Sequence, residues 1–131
     1  MNAMKPRGKQ KREVYPAHVR NGVVVLDDPN ALPDGTLVEV IILPPFDEVW
    51  RRIVQHAGEP FKTKRGREFT YTVTGNHLKP DHVNRNIGQA DFEKALKEVP
   101  LSGPGVIRDV CQGPAFVYAI LMDDRIRHID W

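Results

Sequence analysis

Three apolar segments separated by turn residues occupy the first third of the chain. Tyr15–Arg20 alternates weakly between apolar and polar positions, and Val23–Leu26 is apolar and mostly β-branched. The Asn-Gly dipeptide between them strongly favours a two-residue hairpin turn, because both turn positions need a positive φ. Thr36–Leu43 alternates again, with valine and isoleucine at its even positions. The pattern predicts a three-stranded antiparallel meander over residues 13–44.

Residues 45–57 are predicted to form a helix that connects the meander to the rest of the chain. Pro44 and Pro45 end the third strand, because proline has no N–H to donate to a ladder. From Phe46 to His56, apolar residues recur at helical spacing, and two acidic residues lie in the first turn, where carboxylates are favourable. The apolar stripe consists of Phe46, Val49, Trp50, Ile53 and Val54.

Residues 58–131 are predicted to form a small second module. Glu68–Thr74 is its clearest strand, since aromatic residues and valine alternate with threonine, and residues 77–83 are predicted to return beside it. A helix is predicted over residues 87–99, and Ala115–Asp123 is a second helix or, alternatively, a short buried strand. The fold class is therefore α+β: a meander, a connecting helix, and a module of two strands and two helices.

The composition fits a globular protein and excludes several classes. Hydrophobic residues make up 40% and charged residues 27% of the 131 residues, close to the globular average. The longest apolar run, Ala115–Met122, is far shorter than the ~20 residues that span a bilayer, so we expect no membrane segment. The single cysteine, Cys111, excludes an internal disulfide and is predicted to be a small core residue. With no apolar leader at the N-terminus, a cytoplasmic location is expected.

The net charge of +2 conceals two basic clusters on an acidic remainder. Residues 1–12, predicted to be a disordered tail, contain five basic and no acidic residues, and residues 61–67 contain four and none. The rest of the chain carries 10 basic and 17 acidic residues, a charge of −7. Cations clustered on an acidic body are typical of surfaces that contact phosphate. A solubilising tail and a solvated turn explain the same composition.

The second basic cluster interleaves cations with aromatic residues and threonines. Cations and hydroxyls suit phosphate contacts, and exposed rings suit stacking on unpaired bases. The predicted nucleic-acid-binding residues are Lys62, Lys64, Arg65, Arg67, Tyr71 and Arg85. The strict alternation of this strand favours a different interpretation of its aromatic residues. In that interpretation, Phe69, Tyr71 and Val73 belong to the core, and only the charged side chains face water.

Residues 19–40, which read VRNGVVVLDDPNALPDGTLVEV, resemble the small β-rich modules of AbrB/MazE/VapB-type antitoxin-like proteins. The similarity is carried by the turn at residues 20–23, the apolar residues 24–26, and the Leu-Pro-Asp-Gly-Thr loop at residues 32–36. It implies a homodimeric β-module that binds DNA in a bacterial toxin–antitoxin system, followed by a segment that engages a partner protein. The resemblance does not extend to residues 58–131.

We therefore predict a non-enzymatic, DNA-binding or antitoxin-like regulatory protein with no cofactor and no metal. The alternative is a protein-interaction module that docks a toxin or another protein through Trp50, because tryptophan is a frequent interface anchor. A small hydrolase or nuclease is a third possibility, although no nucleophile elbow or phosphate-binding glycine loop occurs. Its candidate residues are the histidines His77 and His82 and the paired aspartates Asp123 and Asp124. His77, Asp81 and His82 are close enough in sequence to suggest a divalent metal site, although ordinary surface histidines explain the same spacing better.

Overall fold

The computed structural model describes residues 13–131. The predicted disordered tail, residues 1–12, lies outside the described residues. Within residues 13–131, four α-helices and several short antiparallel strands confirm the α+β class. None of the helices in this range is long and apolar enough to cross a membrane.

The N-terminal part of the structure is a two-stranded hairpin. Its strands are β1 (Ala17–Arg20) and β2 (Val23–Leu26), joined by the expected Asn-Gly turn, whose φ angles are 53° and 77°. The third strand of the meander is not confirmed, because Thr36–Leu43 joins no sheet of the described residues. The hairpin is exposed on both faces, so a third strand added to it would gain hydrogen bonds but little apolar burial. We call residues 17–43 the arm.

The connecting helix is confirmed as α1 (Phe46–Gln55). Three residues of its apolar stripe, Val49, Trp50 and Ile53, are buried, whereas Val54 is 44% exposed. The helix also buries Arg52, whose Nη1 donates to the Ile126 carbonyl at 2.9 Å and to Asp130 Oδ2 at 2.7 Å. These bonds tie the helix to the C-terminal end of the chain.

Two small antiparallel sheets follow α1, one with the strand order β3-β4 and one with the order β5-β6-β7, and we call them together the sheet. Its strands are β3 (Phe61–Lys62), β4 (Glu68–Phe69), β5 (Tyr71–Thr74), β6 (His77–Pro80) and β7 (Ile87–Gly88). Two further backbone bonds extend the ladders, from Gly58 N to Tyr71 O and from Asp81 N to Thr70 O, both 2.9 Å long. Residues 68–74 therefore run through the middle, with β3 on one edge and β6 on the other, and β7 lies beyond β6.

The structure corrects the predicted start of the helix at residues 87–99. Ile87 and Gly88 pair with Leu78 and His77 as strand β7, and α2 spans Gln89–Leu96. Ile87 is fully buried, so its β-branched side chain fills a core position of the sheet rather than a helix face. The module thus has more and shorter strands than the two that were predicted.

Helices cover the inner face of the sheet. A 3-10 turn (Pro104–Ile107), α3 (Pro114–Leu121) and α4 (Asp124–Arg127) complete the described chain. Helix α3 settles the open alternative for this segment in favour of a helix. The largest fully buried side chains come from both sheet and helices: Val49, Ile53, Phe61, Tyr71, Leu78, Ile87, Phe92, Ile107, Val117, Ile120, Leu121 and Ile126.

Candidate nucleic-acid interface

The tight turn between β3 and β4 is held by its own backbone. Thr63 N donates to Arg67 O at 2.9 Å, and Gly66 N donates to Thr63 O at 2.8 Å. The Thr63 hydroxyl also accepts from Arg67 N at 3.1 Å. Gly66 has a φ of +90°, which L side chains rarely adopt and glycine adopts freely. These bonds give the segment one defined conformation, and we call residues 62–67 the basic turn.

All four cations of the basic turn are exposed. Lys64 Nζ donates to the Ser102 carbonyl at 3.1 Å, and this bond fixes its position beside Gly103. Within residues 13–131, no carboxylate forms an ion pair with Lys62, Arg65 or Arg67. The turn therefore presents unneutralised positive charge to solvent, as expected from the sequence for a phosphate-contacting surface.

The aromatic residues of the same segment face inward. Phe61, Phe69 and Tyr71 are each at most 2% exposed, which confirms that the alternating pattern of this strand marks the core. The Tyr71 hydroxyl donates to the Ile53 carbonyl at 2.5 Å, and burial raises the pKa of this phenol. Tyr71 is therefore removed from the candidate interface, because its ring cannot stack on a base.

Arg85 and Trp50 do not join the basic turn. Arg85 is exposed but precedes β7, at the opposite edge of the sheet from β3, and its side chain lies against Gly113. Trp50 is only 9% exposed and packs against Phe46 and Phe92, with ring centroids 6.2 and 5.8 Å apart. Because the apolar stripe of α1 faces the core, Trp50 offers little surface to a partner, and its role as an interface anchor stays a prediction.

A charged cluster that the sequence did not predict lies behind β3. The Arg125 guanidinium sits 3.8 Å above the Phe61 ring and donates to the Pro60 carbonyl, Glu59 and Asp123. His56 Nδ1 lies 2.9 Å from Glu59 Oε2. The only local signal of this cluster in the sequence is the N-cap position of Asp123, whose carboxylate accepts from Arg125 N at 2.9 Å. The paired aspartates considered for catalysis thus include one residue that holds α4 in place.

The remaining candidate catalytic residues are dispersed. His82 Nε2 lies 3.0 Å from Asp81 Oδ2, while the other oxygen of Asp81 accepts from Thr70 N at 2.9 Å. In the part of the chain that the structure describes, no three His, Cys, Asp or Glu residues converge to hold a metal ion. Cys111 is partly buried, and burial, with the charge of Asp91, raises the pKa of its thiol to about 11.

Comparison with known proteins adds no homologue. The chain matches no protein-family model, and no curated protein and no solved structure is significantly similar to it. The resemblance of residues 19–40 to antitoxin-like modules stays a prediction. Structural support for a function comes from the geometry of the described residues.

Proposed function

We propose that this protein is a non-enzymatic, DNA-binding regulatory protein that contacts the phosphate backbone with its basic turn. The observation that carries the proposal is the ordered turn at residues 62–67, which exposes four cations, none of them in an ion pair with a carboxylate of residues 13–131. The antitoxin-like part of the proposal rests on the resemblance of residues 19–40. The basic residues of the tail, residues 1–12, would add further phosphate contacts.

The order of the basic turn favours binding. Long cationic side chains lose rotamer freedom when they bind, and a backbone that is already fixed adds no further ordering cost. Each phosphate that a lysine or arginine neutralises releases condensed counterions, so the affinity falls as salt rises. Binding of this kind is independent of sequence, with dissociation constants of ~1–100 μM at physiological salt.

A salt titration of binding to random-sequence duplex DNA tests this proposal. The test variant replaces Lys62, Arg65 and Arg67 by alanine and keeps Lys64, which is bonded to Ser102. The matched control replaces three exposed cations on the helical side, and these are Lys94, Lys97 and Arg108. Both variants lose the same net charge, so a difference between their DNA affinities shows which surface contacts the DNA.

We expect the test variant to lose most of its affinity and the control variant to lose little. The slope of log K against log salt should fall by about 0.9 for each phosphate that is no longer neutralised, or by roughly 3 for the three substitutions together. Circular dichroism and thermal unfolding check that each variant is folded. Equal losses of affinity in the two variants, or wild-type protein that fails to bind at 50 mM salt, would contradict the proposal.

A second candidate function, a protein-interaction module, is favoured by the arm. Nine of its valine, leucine and isoleucine side chains are between 39% and 92% exposed. Their exposed area is on the order of 500 Å². A standard interface buries ~800 Å² on each side, of which about 65% is apolar in homodimers, so the arm exposes enough for one side of a dimer. The occupant that we propose is a second copy of this chain, and a toxin or other partner protein is the alternative.

A further inference from the structure

The outer face of the sheet, opposite the helices, is polar along its whole length. In the central run, Phe69 and Tyr71 point to the core, while Thr72 and Thr74 are exposed. Residues paired across antiparallel strands share a face, and the pairs here are Thr72 with Lys79, Thr74 with His77, and Lys62 with Glu68. Besides Glu68, the outer face thus carries Lys62, Thr70, Thr72, Thr74, His77 and Lys79.

We propose that this outer face continues the basic turn into one binding track for the phosphate backbone of a double helix, with Lys79 as its second anchor. The inference rests on the proposed function, and it adds which surface the nucleic acid covers and in which form it binds. Lys62 links the two parts, because it belongs both to the basic turn and to the outer face.

The spacing and chemistry of the face fit a backbone ligand. Lys79 lies opposite Thr72, four residues beyond Glu68, which corresponds to ~13 Å along the strand. A nucleic-acid strand places a phosphate every ~3.4 Å along the axis, so the turn and Lys79 reach different phosphates of one duplex. The exposed threonine hydroxyls between them are suitable hydrogen-bond donors to phosphate oxygens.

Two carboxylates border the face, and each lies beside a polar or cationic partner. Glu68 is the strand partner of Lys62. Asp81 accepts from Thr70 N at 2.9 Å and contacts His82 at 3.0 Å. With Lys62, Lys79 and the three further cations of the basic turn, positive charge exceeds negative charge along the track.

The inward orientation of the aromatic residues favours double-stranded over single-stranded nucleic acid as the ligand. Protein sheets that bind single-stranded nucleic acids present aromatic rings on which unpaired bases stack. These sheets also form hydrogen bonds with the edges of the bases. Here the rings of Phe61, Phe69 and Tyr71 lie on the core side, and threonine, lysine and histidine occupy the open side. Such a face recognises phosphates without stacking, and the higher charge density of a duplex then favours it over a single strand.

The experiment compares Lys79→Ala with Lys97→Ala, an exposed lysine at the C-terminal end of α2, on the helical side. Binding to a 20-base-pair duplex and to each of its separated strands is measured by anisotropy between 50 and 200 mM salt. We expect Lys79→Ala to weaken duplex binding about 3- to 10-fold and to lower the salt slope by about 1. Lys97→Ala should stay within twofold of wild type, and wild type should bind the duplex more tightly than either strand.

The outcomes separate this inference from the proposed function. If removal of Lys62, Arg65 and Arg67 abolishes binding while Lys79→Ala behaves like Lys97→Ala, the basic turn binds DNA but the track along the sheet is wrong. Single strands that bind as tightly as the duplex would overturn the choice of a double helix. If the triple variant of the basic turn binds like wild type, the proposed function itself fails.

Discussion

Asp123 shows how a single residue connects local structure to stability. Its carboxylate caps α4 through Arg125 N and accepts two bonds from the Arg125 guanidinium, at 2.8 and 2.9 Å. Partial burial raises the pKa of Asp123, but the hydrogen bonds and charge of Arg125 outweigh burial, so the net pKa lies below the ordinary value of 3.8. The folded state therefore prefers the ionised carboxylate more strongly than the unfolded state does.

This difference sets the sign of a pH dependence. The stabilisation from Asp123 is complete above pH ~4 and is lost as the pH falls through the lowered pKa. Asp123→Asn keeps an N-capping side chain but removes the charge, so we expect a loss of about 1 kcal/mol in unfolding free energy at pH 7. The variant should then lose less stability than wild type between pH 5 and pH 3, as measured by urea unfolding.

This test needs a control variant, and it must allow for the contribution of Glu59 to the pH dependence of stability. Asp109→Asn replaces an exposed aspartate and should change the unfolding free energy by at most about 0.5 kcal/mol. The pKa of Glu59 is also lowered, first by its bond to His56 and then by Arg125, so some acid sensitivity remains in Asp123→Asn. Identical pH profiles for wild type and Asp123→Asn would show that Arg125 does not hold this carboxylate in solution.

At the scale of elements, the conformation of the basic turn depends on Gly66. A Cβ atom at this position meets nothing within 4 Å, so the cost of Gly66→Ala comes from the φ of +90° alone. We expect a loss of about 1–2 kcal/mol in unfolding free energy. Because the altered turn displaces its cations, duplex DNA binding should fall 2- to 5-fold, as measured by anisotropy.

Gly105→Ala is the matched control for the turn. Gly105 also has open space around its Cβ position, but its φ is not positive. This substitution should leave DNA binding unchanged and alter stability by at most about 0.5 kcal/mol. If both alanine variants have the same stability, Gly66 does not adopt the left-handed conformation in solution.

The elements that were predicted well from the sequence are those whose pattern is local. The 3.6-residue periodicity of Phe46–Gln55 and the alternation of Glu68–Thr74 both follow from which positions the core buries. Ile87 and Gly88 were placed in a helix because their strand depends on pairing with β6, which no local pattern shows. The bonds of Arg125 to Glu59 and Pro60 likewise join residues far apart in the sequence.

At the scale of the whole molecule, the exposed apolar side chains are concentrated in the arm, away from the core. Thr36–Leu43 has the sequence of a strand, yet within the described chain it joins no sheet. An alternating segment forms a strand only where a neighbouring strand offers backbone hydrogen bonds and an apolar surface covers its apolar side chains. In the proposed dimer, the second copy supplies both, which explains why the strand pattern of Thr36–Leu43 forms no strand within residues 13–131 of a single chain.

Substitutions in the arm test this explanation. Val40→Asp with Ile42→Asp removes two side chains that are 59% and 87% exposed. We expect wild type to self-associate at micromolar concentrations in sedimentation velocity and the double variant to stay monomeric, because each buried aliphatic side chain contributes ~1.5–3 kcal/mol. Val54→Asp with Ile129→Asp, at 44% and 97% exposure outside the arm, should associate like wild type.

Thermal unfolding distinguishes this interface from packing within one chain. Since the arm residues are exposed, the double arm variant should unfold at the wild-type temperature when both proteins are dilute enough to be monomeric. Ile53→Ala, at a position with 0% exposure, should instead cost about 2–5 kcal/mol at any concentration. A wild-type protein that remains monomeric at 100 μM would rule out the second copy as occupant. An arm variant that melts several degrees lower at every concentration would show that the arm packs on its own chain.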